Sequence, residues 1–497
     1  MSSPGTTPTT ALLEIEKRLI QQDSKSIFSF PFEVEEGTRA LQICMEWSPR
    51  FSSDIESNRA DVEAAVLEWG GAGTKIDDET PEDIRLFLTK IPNLLNVILV
   101  DPSGAWRGRT DRGRGGPNQP LIIAPGIAPL GFVDGPITPG QWSLDLELHA
   151  VVPPDCTVTL SVHACDPGER DEPFAEPSPT PEKRAGWYRG ELHSHSVHSD
   201  GAYTVEKLVN RAKAQEMDFL ALTDHNTLAG LPELAATDFP TIPGVELTTF
   251  HGHHIVLGAR DLVVPWHREG ERLDVNEVAE RLRANGALFA LSHPFAIGDP
   301  VCTGCRWTAR ELDPEHIDLI EVWHRRWDKD RTNNADARLF WDELWRQGHR
   351  PTAIGVRDWH NKGHEAPLPG PLPMTVIHAE SLDAPDLLDG LRAGAAYMTS
   401  GPFFTFALED SAGTTLKLGE NGPLASGPVT ARIAFESLDG PARVDLLHCG
   451  ERVATREISG PGDVSLTHEA GNEGWYRVEI WRDDQPLAFT NHIEWLA

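Results

Sequence analysis

Between residues 187 and 400, apolar segments with the spacing of strands alternate with segments that have one apolar helical face. The strand-like segments include WYRGELHSH, FLALTDHN, ALFALSHP, LIEVWH and TAIGVRDWH. The apolar face of the first predicted helix is formed by Val205, Leu208, Val209 and Ala212. Repeated strand–helix units favour parallel strands that close into a barrel, so this region constrains the fold most strongly.

Different patterns flank this region, as expected for a chain of 497 residues, which is too long for one hydrophobic core. Residues 1–164 contain short apolar stretches between Gly and Pro turns and predict an N-terminal β-sandwich domain. Residues 165–186 are rich in proline and charge and predict a linker. Residues 401–497 lack helical spacing and predict a C-terminal β-sandwich domain. The expected class is therefore α/β, with a barrel domain at 187–400.

Composition excludes several classes of partner. The formal net charge of −32, without a basic stripe, argues against nucleic acid. No apolar run is long enough to span a bilayer, and MSSPGTTPTTALLEIEKRLIQQD lacks the features of a signal peptide, so we expect no membrane contact and a cytoplasmic location. The six cysteines are expected to be mostly reduced. Cys302 and Cys305 suit a redox pair, half a zinc site or, preferably, a structural turn.

Polar side chains recur where the predicted parallel strands end, at His193, His195, Asp224, His225, His293, Asp358 and His360. In parallel barrels this rim binds ligands. Residues two apart in a strand point to the same side, so His193 and His195 can reach one metal ion. Each residue alone has an ordinary explanation, such as a strand-ending turn or a buried core histidine. Their recurrence at successive strand ends favours a metal site.

The ordered motifs HSHSVHSDG, LTDHN, GVEL, GHHIVLG, SHPF and RDWH resemble those of the PHP (polymerase and histidinol phosphatase) superfamily of metallohydrolases. The resemblance covers roughly residues 187 to 400 and implies a distorted (βα)7 barrel. The stretches DPSGAWRGR, GPITPGQW, WYRGELHSH and FTNHIEW resemble the CehA/McbA branch, which is named for carbaryl hydrolases. This second resemblance extends over most of the chain.

The PHP resemblance implies nine metal ligands, namely His193, His195, Asp200, His225, Glu246, His253, His293, Asp358 and His360. The first ion is assigned to His193, His195, Glu246 and Asp358, the second to Glu246, His253 and His293, and the third to Asp200, His225 and His360. His253 is chosen over His251 and His254 because of its GH context. Imidazole and carboxylate ligands suit two or three divalent ions of zinc, manganese or iron.

The expected activity is metal-dependent hydrolysis of a small phosphate ester by a hydroxide that bridges two ions about 3.5–4 Å apart. Hydrolysis of a carbamate or carboxylic ester is the alternative, motivated by the flanking motifs. A non-catalytic, metal-stabilised binding protein is a third hypothesis, which the complete ligand set disfavours. Asp224, His198 and Arg357 are candidate catalytic residues that orient ligands or protonate the leaving group. Arg357 suits either a substrate anion or a structural salt bridge.

Overall fold

The computed structural model describes most of the chain. The described residues are 8–52, 54–70, 76, 82–110, 115–116, 119–167, 184–260, 267–268, 271–272, 274–360, 372–469, 471 and 473–496. Most of the predicted linker at 165–186 lies outside the described residues. Within the described residues, no helix combines the length and apolarity that a bilayer crossing requires.

The N-terminal part contains two sheets that share an apolar core. Its elements are β1 (Pro8–Leu19), β2 (Ser26–Val34), β3 (Ala40–Ser48), α1 (Ile55–Gly70), α2 (Glu82–Phe87), β4 (Leu94–Val100), β5 (Trp106–Arg109), β6 (Leu121–Ile123), β7 (Gly140–Ala150) and β8 (Cys156–Cys165). One sheet has the order β1-β8-β3-β6 and the other β2-β7-β4-β5. Buried side chains of both, such as Leu41 and Trp142, belong to one hydrophobic cluster.

The central part alternates strands and helices. Its elements are β9 (Gly186–Glu191), α3 (Val205–Ala214), β10 (Phe219–Leu222), α4 (Leu231–Ala235), β11 (Thr241–Thr248), β12 (His253–Leu257), β13 (His267–Arg268), β14 (Glu271–Arg272), α5 (Val275–Ala284), β15 (Leu288–Leu291), β16 (Leu319–His324), α6 (Arg331–Arg346), β17 (Thr352–Val356), β18 (Met374–Ala379), α7 (Ala384–Arg392) and β19 (Ala396–Thr399). The mixed α/β class predicted from the sequence is confirmed.

The helices of this part form where the apolar spacing predicts them. The α3 residues Val205, Leu208, Val209 and Ala212 are buried. Thr204 caps this helix, because its side chain accepts a hydrogen bond from the backbone N–H of Lys207. In the same way, Asp274 caps α5. Gly286 follows α5 with a φ of 85°, which is the left-handed conformation expected after a helix end. Each helix therefore turns its apolar side towards the strands.

The central strands are not uniformly parallel. Four pairs are parallel, β9–β10, β10–β11, β15–β16 and β16–β17, whereas β12 is antiparallel to β11 and β15, and β18 is antiparallel to β9 and β19. Residues 249–252 join β11 to β12, and so short a link allows a hairpin but not the dozen or more residues of a parallel crossover. The distorted (βα)7 barrel and the two flanking β-sandwich domains remain proposals.

The C-terminal part continues the central sheet. Its strands are β20 (Phe403–Asp410), β21 (Thr415–Lys417), β22 (Gly422–Pro423), β23 (Val429–Ser437), β24 (Ala442–His448), β25 (Glu451–Ile458), β26 (Gly462–His468), β27 (Gly474–Arg482), β28 (Gln485–Thr490) and β29 (Ile493–Leu496). β28 pairs antiparallel with β19, so hydrogen bonding between strands runs on past the boundary at residue 400. β20, β21, β23 and β26 form a separate sheet.

The cysteines differ in state. Cys302 and Cys305 are joined by a disulfide bond. Four other cysteines are free, namely Cys44, Cys156, Cys165 and Cys449. The CxxC segment is therefore a covalently closed turn.

Candidate metal centre

All nine ligands predicted from the sequence lie at one end of the central strands. His193 and His195 follow β9, His225 follows β10, and Glu246 lies within β11. Their potential ligand atoms fall into four overlapping groups, each with all its atoms within 4.8 Å of one another. The groups are His195, Asp200, His225 and His360; His193, His293 and Asp358; His193, His195 and Glu246; and His225, Glu246 and His253.

The centre of the cluster is formed by two imidazoles and two carboxylates. His193 Nε2 lies 3.2 Å from Glu246 Oε2 and 3.2 Å from Asp358 Oδ1. His195 Nε2 lies 3.3 Å from Glu246 Oε2 and 3.2 Å from Asp358 Oδ1. The two imidazole Nε2 atoms are 3.0 Å apart. Each imidazole Nε2 therefore lies within 3.3 Å of one oxygen of both carboxylates.

Glu246 connects this centre to a second group through its other oxygen. Its Oε1 lies 3.1 Å from His253 Nδ1 and 3.3 Å from His293 Nε2. The carboxylate is 1% exposed. A carboxylate with one oxygen in each group has the arrangement of a bridging ligand.

Asp200 is the centre of a third group. Its Oδ1 lies 2.7 Å from His360 Nε2 and 3.6 Å from His225 Nε2. The rings of His195 and His360 stack with their centroids 4.2 Å apart, which places this group directly beside the first. These side chains are 13–19% exposed, so this group is the most accessible to solvent.

The geometry and chemistry of the cluster fit divalent cations. In a tetrahedral site with bonds of about 2.0–2.1 Å, ligand atoms are roughly 3.3 Å apart, close to the spacing around Glu246 and Asp358. Glu246 Oε2 is buried and accepts no hydrogen bond of good geometry from the described residues. A buried anionic oxygen is costly without a compensating partner. Cations held between these atoms would supply one.

The electrostatics of the cluster also suit cations. Burial opposes ionisation of Glu246, but His193, His225 and His253 hold the pKa of this carboxyl well below its usual value. Burial likewise opposes the charged form of His193, but Glu246, Glu321 and Asp358 raise the pKa of this imidazole well above its usual value. Glu246 is thus ionised, and the proton on His193 supplies positive charge beside it.

Two of the nine residues have strained backbones. His293 and Asp358 have φ angles of 27° and 46°, in the left-handed region that non-glycine residues rarely adopt. Such a conformation costs on the order of 1–3 kcal/mol and is typical of functional sites. The strained backbone therefore lies at two of the predicted metal ligands, where it helps to set the direction of their side chains.

A comparison with known families supports this description. Residues 191–261 match the family model described as PHP domain. The matched range contains the predicted ligands His193, His195, Asp200, His225, Glu246 and His253. The match supports the predicted resemblance to the PHP superfamily within residues 191–261.

Curated relatives resemble this chain over short segments. The 5'-3' exoribonuclease Rnm of Salmonella typhimurium is 38% identical over 109 residues, which cover 20% of this chain and 36% of that protein. The 3',5'-nucleoside bisphosphate phosphatase of Chromobacterium violaceum is 43% identical over 70 residues, 13% of this chain and 25% of that protein. The chain thus matches about a third or less of the length of these relatives.

Among solved structures, the chain is similar to a two-domain protein of Bacteroides vulgatus that is described as containing a predicted PHP-like metal-dependent phosphoesterase. It is 15% identical, with a TM-score of 0.37, and the alignment covers 66% of this chain and all of that one.

The structure places further polar residues beside the cluster that the sequence did not single out. Glu321, at 0% exposure, lies with Oε1 2.6 Å from His193 Nδ1, and its Oε2 accepts a hydrogen bond of 2.7 Å from the backbone N–H of His293. His324 Nε2 lies 3.2 Å from Asp358 Oδ2. Both belong to LIEVWH, another strand of the same series. Polar residues within that apolar run were the available signal.

Glu191 is a further buried carboxylate of the PHP domain that sequence reasoning missed. Its Oε1 accepts hydrogen bonds from the backbone N–H groups of His193, at 2.9 Å, and Arg357, at 3.1 Å. Burial raises its pKa to about 7 against the opposing effect of Arg357. Glu191 therefore ties the start of the HSH segment to the strand that precedes Asp358.

The three crowded histidines of the PHP domain occupy different environments. His253 lies at the cluster, as described above. His254, one residue on, points away and stacks on Phe289 with ring centroids 4.6 Å apart. His251 Nδ1 lies 3.5 Å from Thr308 Oγ1. Alternation along β12 thus directs His253, rather than His254, towards Glu246.

Two of the candidate catalytic residues lie behind the cluster. Asp224 accepts hydrogen bonds from the Ser196 backbone N–H at 2.7 Å and from the Ser199 hydroxyl at 2.6 Å, which fixes the turn before Asp200. His198 Nδ1 accepts a hydrogen bond of 3.3 Å from the backbone N–H of Gly131, in the N-terminal part. Both positions suit a role in orienting the site.

Arg357 is directed away from the cluster. Its Nε donates a hydrogen bond of 3.0 Å to Pro373 O and lies 3.7 Å from Glu191 Oε2, and its guanidinium also contacts Gln215. Among the described residues, none of these partners is one of the nine predicted ligands. Of the two roles expected for Arg357, its position favours the structural salt bridge over contact with a substrate anion.

Proposed function

We propose that the chain is a metal-dependent hydrolase that cleaves a small phosphate ester. The observation that carries this proposal is that His193 Nε2 and His195 Nε2 lie 3.0 Å apart and each lies 3.2–3.3 Å from Glu246 Oε2 and Asp358 Oδ1. The second Glu246 oxygen faces His253 and His293. The PHP domain supports it. The two curated relatives are named as a phosphatase and an exoribonuclease, and both kinds of enzyme act on phosphate esters.

We assign the ligands in three sets. His193, His195, Glu246 and Asp358 would hold one ion, Glu246, His253 and His293 a second, and Asp200, His225 and His360 a third. Zinc, manganese and iron all suit this donor set, which has imidazole and carboxylate but no thiolate. Bound divalent ions supply Lewis acidity to a phosphoryl or carbonyl oxygen and lower the pKa of water.

The residues of the chain would contribute orientation and charge. Glu246 remains ionised because three histidines lower its pKa, so it can serve both sets. Glu321 fixes the ring of His193 through Nδ1 and leaves Nε2 directed at the centre of the cluster. Asp224 holds the turn that carries Asp200.

We propose a small ester rather than a long nucleic acid as substrate. A chain with a net charge of −32 repels an extended phosphate backbone. Because some relatives are named as exoribonucleases, any test of the substrate must include RNA.

A second candidate function is hydrolysis of a carbamate or carboxylic ester. The flanking stretches that resemble the CehA/McbA branch favour it, and membership of that branch is part of the proposal. The change in apolar patterning along the chain supports a division into an N-terminal β-sandwich domain at 1–164, a linker at 165–186, a PHP barrel at 187–400 and a C-terminal β-sandwich domain at 401–497. Because β19 and β28 pair across residue 400, the central and C-terminal domains would share one sheet at that boundary.

Parallel assays of the metal-loaded protein on aryl phosphates, aryl carbamates and a short RNA test the proposal. We expect turnover of the phosphate, because both the PHP domain and its relatives favour that chemistry. His193→Ala should abolish turnover, since it removes an atom from the centre of the cluster. The matched control is His378→Ala, a half-buried histidine that packs against Trp187.

The control variant should retain activity. Turnover of carbamates alone would overturn the ranking of the two functions. Undiminished activity of His193→Ala, with its metal content intact, would contradict the catalytic role of the cluster.

A further inference from the structure

Arg325 lies next to the cluster but outside the nine predicted ligands. It follows β16 directly, and its side chain is 48% exposed. Its guanidinium forms an ion pair with Asp358 Oδ2, whereas Asp358 itself is 7% exposed. Arg325 is therefore a cation on the solvent side of a buried carboxylate.

The two oxygens of Asp358 face different groups. Oδ1 faces the centre of the cluster, 3.2 Å from both His193 Nε2 and His195 Nε2. Oδ2 faces Arg325 and lies 3.2 Å from His324 Nε2. A single carboxylate therefore separates the guanidinium from the point where the ligand atoms converge.

The backbone around Arg325 is held firmly. Its N–H donates a hydrogen bond of 2.9 Å to Val356 O, and its φ is 53°, a left-handed conformation that is uncommon for a residue with a side chain. Asn334 of α6 both accepts a hydrogen bond from the His324 N–H, at 2.8 Å, and donates one to His324 O, at 3.1 Å. The position of the arginine is thus set before any ligand arrives, which lowers the cost of binding.

We propose that Arg325 binds the phosphoryl group of the substrate and thereby favours an anionic phosphate ester over a neutral carbamate. This inference rests on the proposed function. A guanidinium matches the oxygens of a phosphate with paired hydrogen bonds, and such charge-assisted bonds are about twice as strong as neutral ones. A neutral carbamate gains much less from a guanidinium.

Two other arginines, Arg326 and Arg357, carry the same charge as Arg325 but lie in different surroundings. Arg326 is 27% exposed and pairs with Asp328 at 2.7 Å, and this pair does not include a predicted ligand. Arg357 is buried beside Glu191 and Pro373, as described above. Of these three arginines, Arg325 combines exposure with contact to the cluster.

The test uses the full metal-loaded chain with Arg325→Gln, Arg325→Lys and the matched control Arg326→Gln. Calorimetry measures the affinity for inorganic phosphate, and kinetics measure KM and kcat for an aryl phosphate and an aryl carbamate. Elemental analysis of each variant gives its metal content.

We expect Arg325→Gln to weaken phosphate binding and raise KM for the aryl phosphate by about tenfold or more, the usual effect of losing a hydrogen bond between charged groups. If the protein also hydrolyses the carbamate, its KM for that substrate should change less than twofold. Arg325→Lys should recover part of the affinity, because it keeps the positive charge but cannot form the paired hydrogen bonds of a guanidinium. Arg326→Gln should bind phosphate like the wild type.

Phosphate affinity of Arg325→Gln equal to that of the wild type would overturn the inference. A parallel loss of metal content would also overturn it, since Arg325 would then act by holding Asp358. The binding measurement does not need turnover. A wild type that hydrolyses only carbamates would therefore contradict the proposed function, while calorimetry would still decide the role of Arg325.

Discussion

The charge on each side chain of the cluster depends on the ionised side chains that surround it. Burial lowers the pKa of His360, but Asp358 and Asp200 outweigh it and raise the pKa to about 9. The same contacts, with His360 foremost among them, hold the pKa of Asp200 well below its usual value against the effect of burial. In the metal-free protein, His360 is therefore an imidazolium paired with carboxylates near neutral pH.

This pairing predicts a pH dependence of stability. The folded protein holds the His360 proton more tightly than the unfolded chain, whose histidines have a pKa of about 6.5, so the pairing stabilises the fold fully below that pH. The stabilisation is lost as the pH rises towards 9. We expect chelator-treated wild type to exceed His360→Gln in free energy of unfolding by about 3 kcal/mol at most near pH 6, since one pKa unit corresponds to about 1.4 kcal/mol.

Urea unfolding of both proteins between pH 6 and 9.5 measures this difference. It should shrink steadily over that range. A difference that stays constant or grows with pH would show that His360 does not hold its proton in the folded state.

At the scale of elements, β16 supports the cluster, because two of its side chains contact predicted ligands without belonging to the nine. Its Glu321 contacts both the ring of His193 and the backbone of His293, which belong to different strand ends. Its last residue, His324, contacts Asp358 at a third strand end. One strand thus aligns three neighbouring segments that carry predicted ligands.

This arrangement predicts that Glu321→Gln lowers metal affinity without removing a ligand. Replacing one carboxylate oxygen by an amide weakens the support of His193, and the loss of such a partner typically costs 10–100-fold in affinity. Competition with a chromophoric chelator measures the affinity. Glu380→Gln, at an exposed position of the same domain, is the control and should match the wild type. Equal affinities for Glu321→Gln and Glu380→Gln would contradict the supporting role.

The sequence predicted those elements whose apolar spacing is local. The faces of α3 and α6 and the polar ends of β9, β10, β15 and β17 follow from periods of 3.6 and 2, and the nine residues found together were all named from these ends and from the family motifs. Strand direction is not encoded in such periods, so the hairpin of β11 and β12 was not expected. Glu321 and His324 were missed because LIEVWH was interpreted as a buried apolar strand and its two polar residues were not examined separately.

At the scale of the whole molecule, the C-terminal part is fastened to the central part by buried polar and aromatic contacts. Arg477 of β27 is 0% exposed, and its Nη2 lies 2.9 Å from Asp342 Oδ2 of α6. His492 lies between three tryptophan rings, with centroids 4.1–4.4 Å away, at Trp341, Trp345 and Trp475. The pairing of β19 with β28 adds a continuous sheet to this interface. The two parts are therefore expected to unfold together.

Truncation of the buried arginine tests this coupling. Arg477→Ala leaves Asp342 buried without its partner and should lower the free energy of unfolding by about 3–5 kcal/mol. Arg452→Ala, at a side chain that is 56% exposed and 3.5 Å from Asp445, should cost no more than about 1 kcal/mol. Chemical denaturation followed by tryptophan fluorescence measures both. Equal stability of the two variants would show that the buried pair does not fasten the parts together.

The metal content of the purified protein tests the central claim most directly. Elemental analysis of wild type prepared without chelators should give two or three equivalents of zinc, manganese or iron per chain, and Glu246→Ala should lose most of them while remaining folded. Less than one equivalent in the wild type after supplementation with these metals, or an unchanged content in Glu246→Ala, would contradict the account.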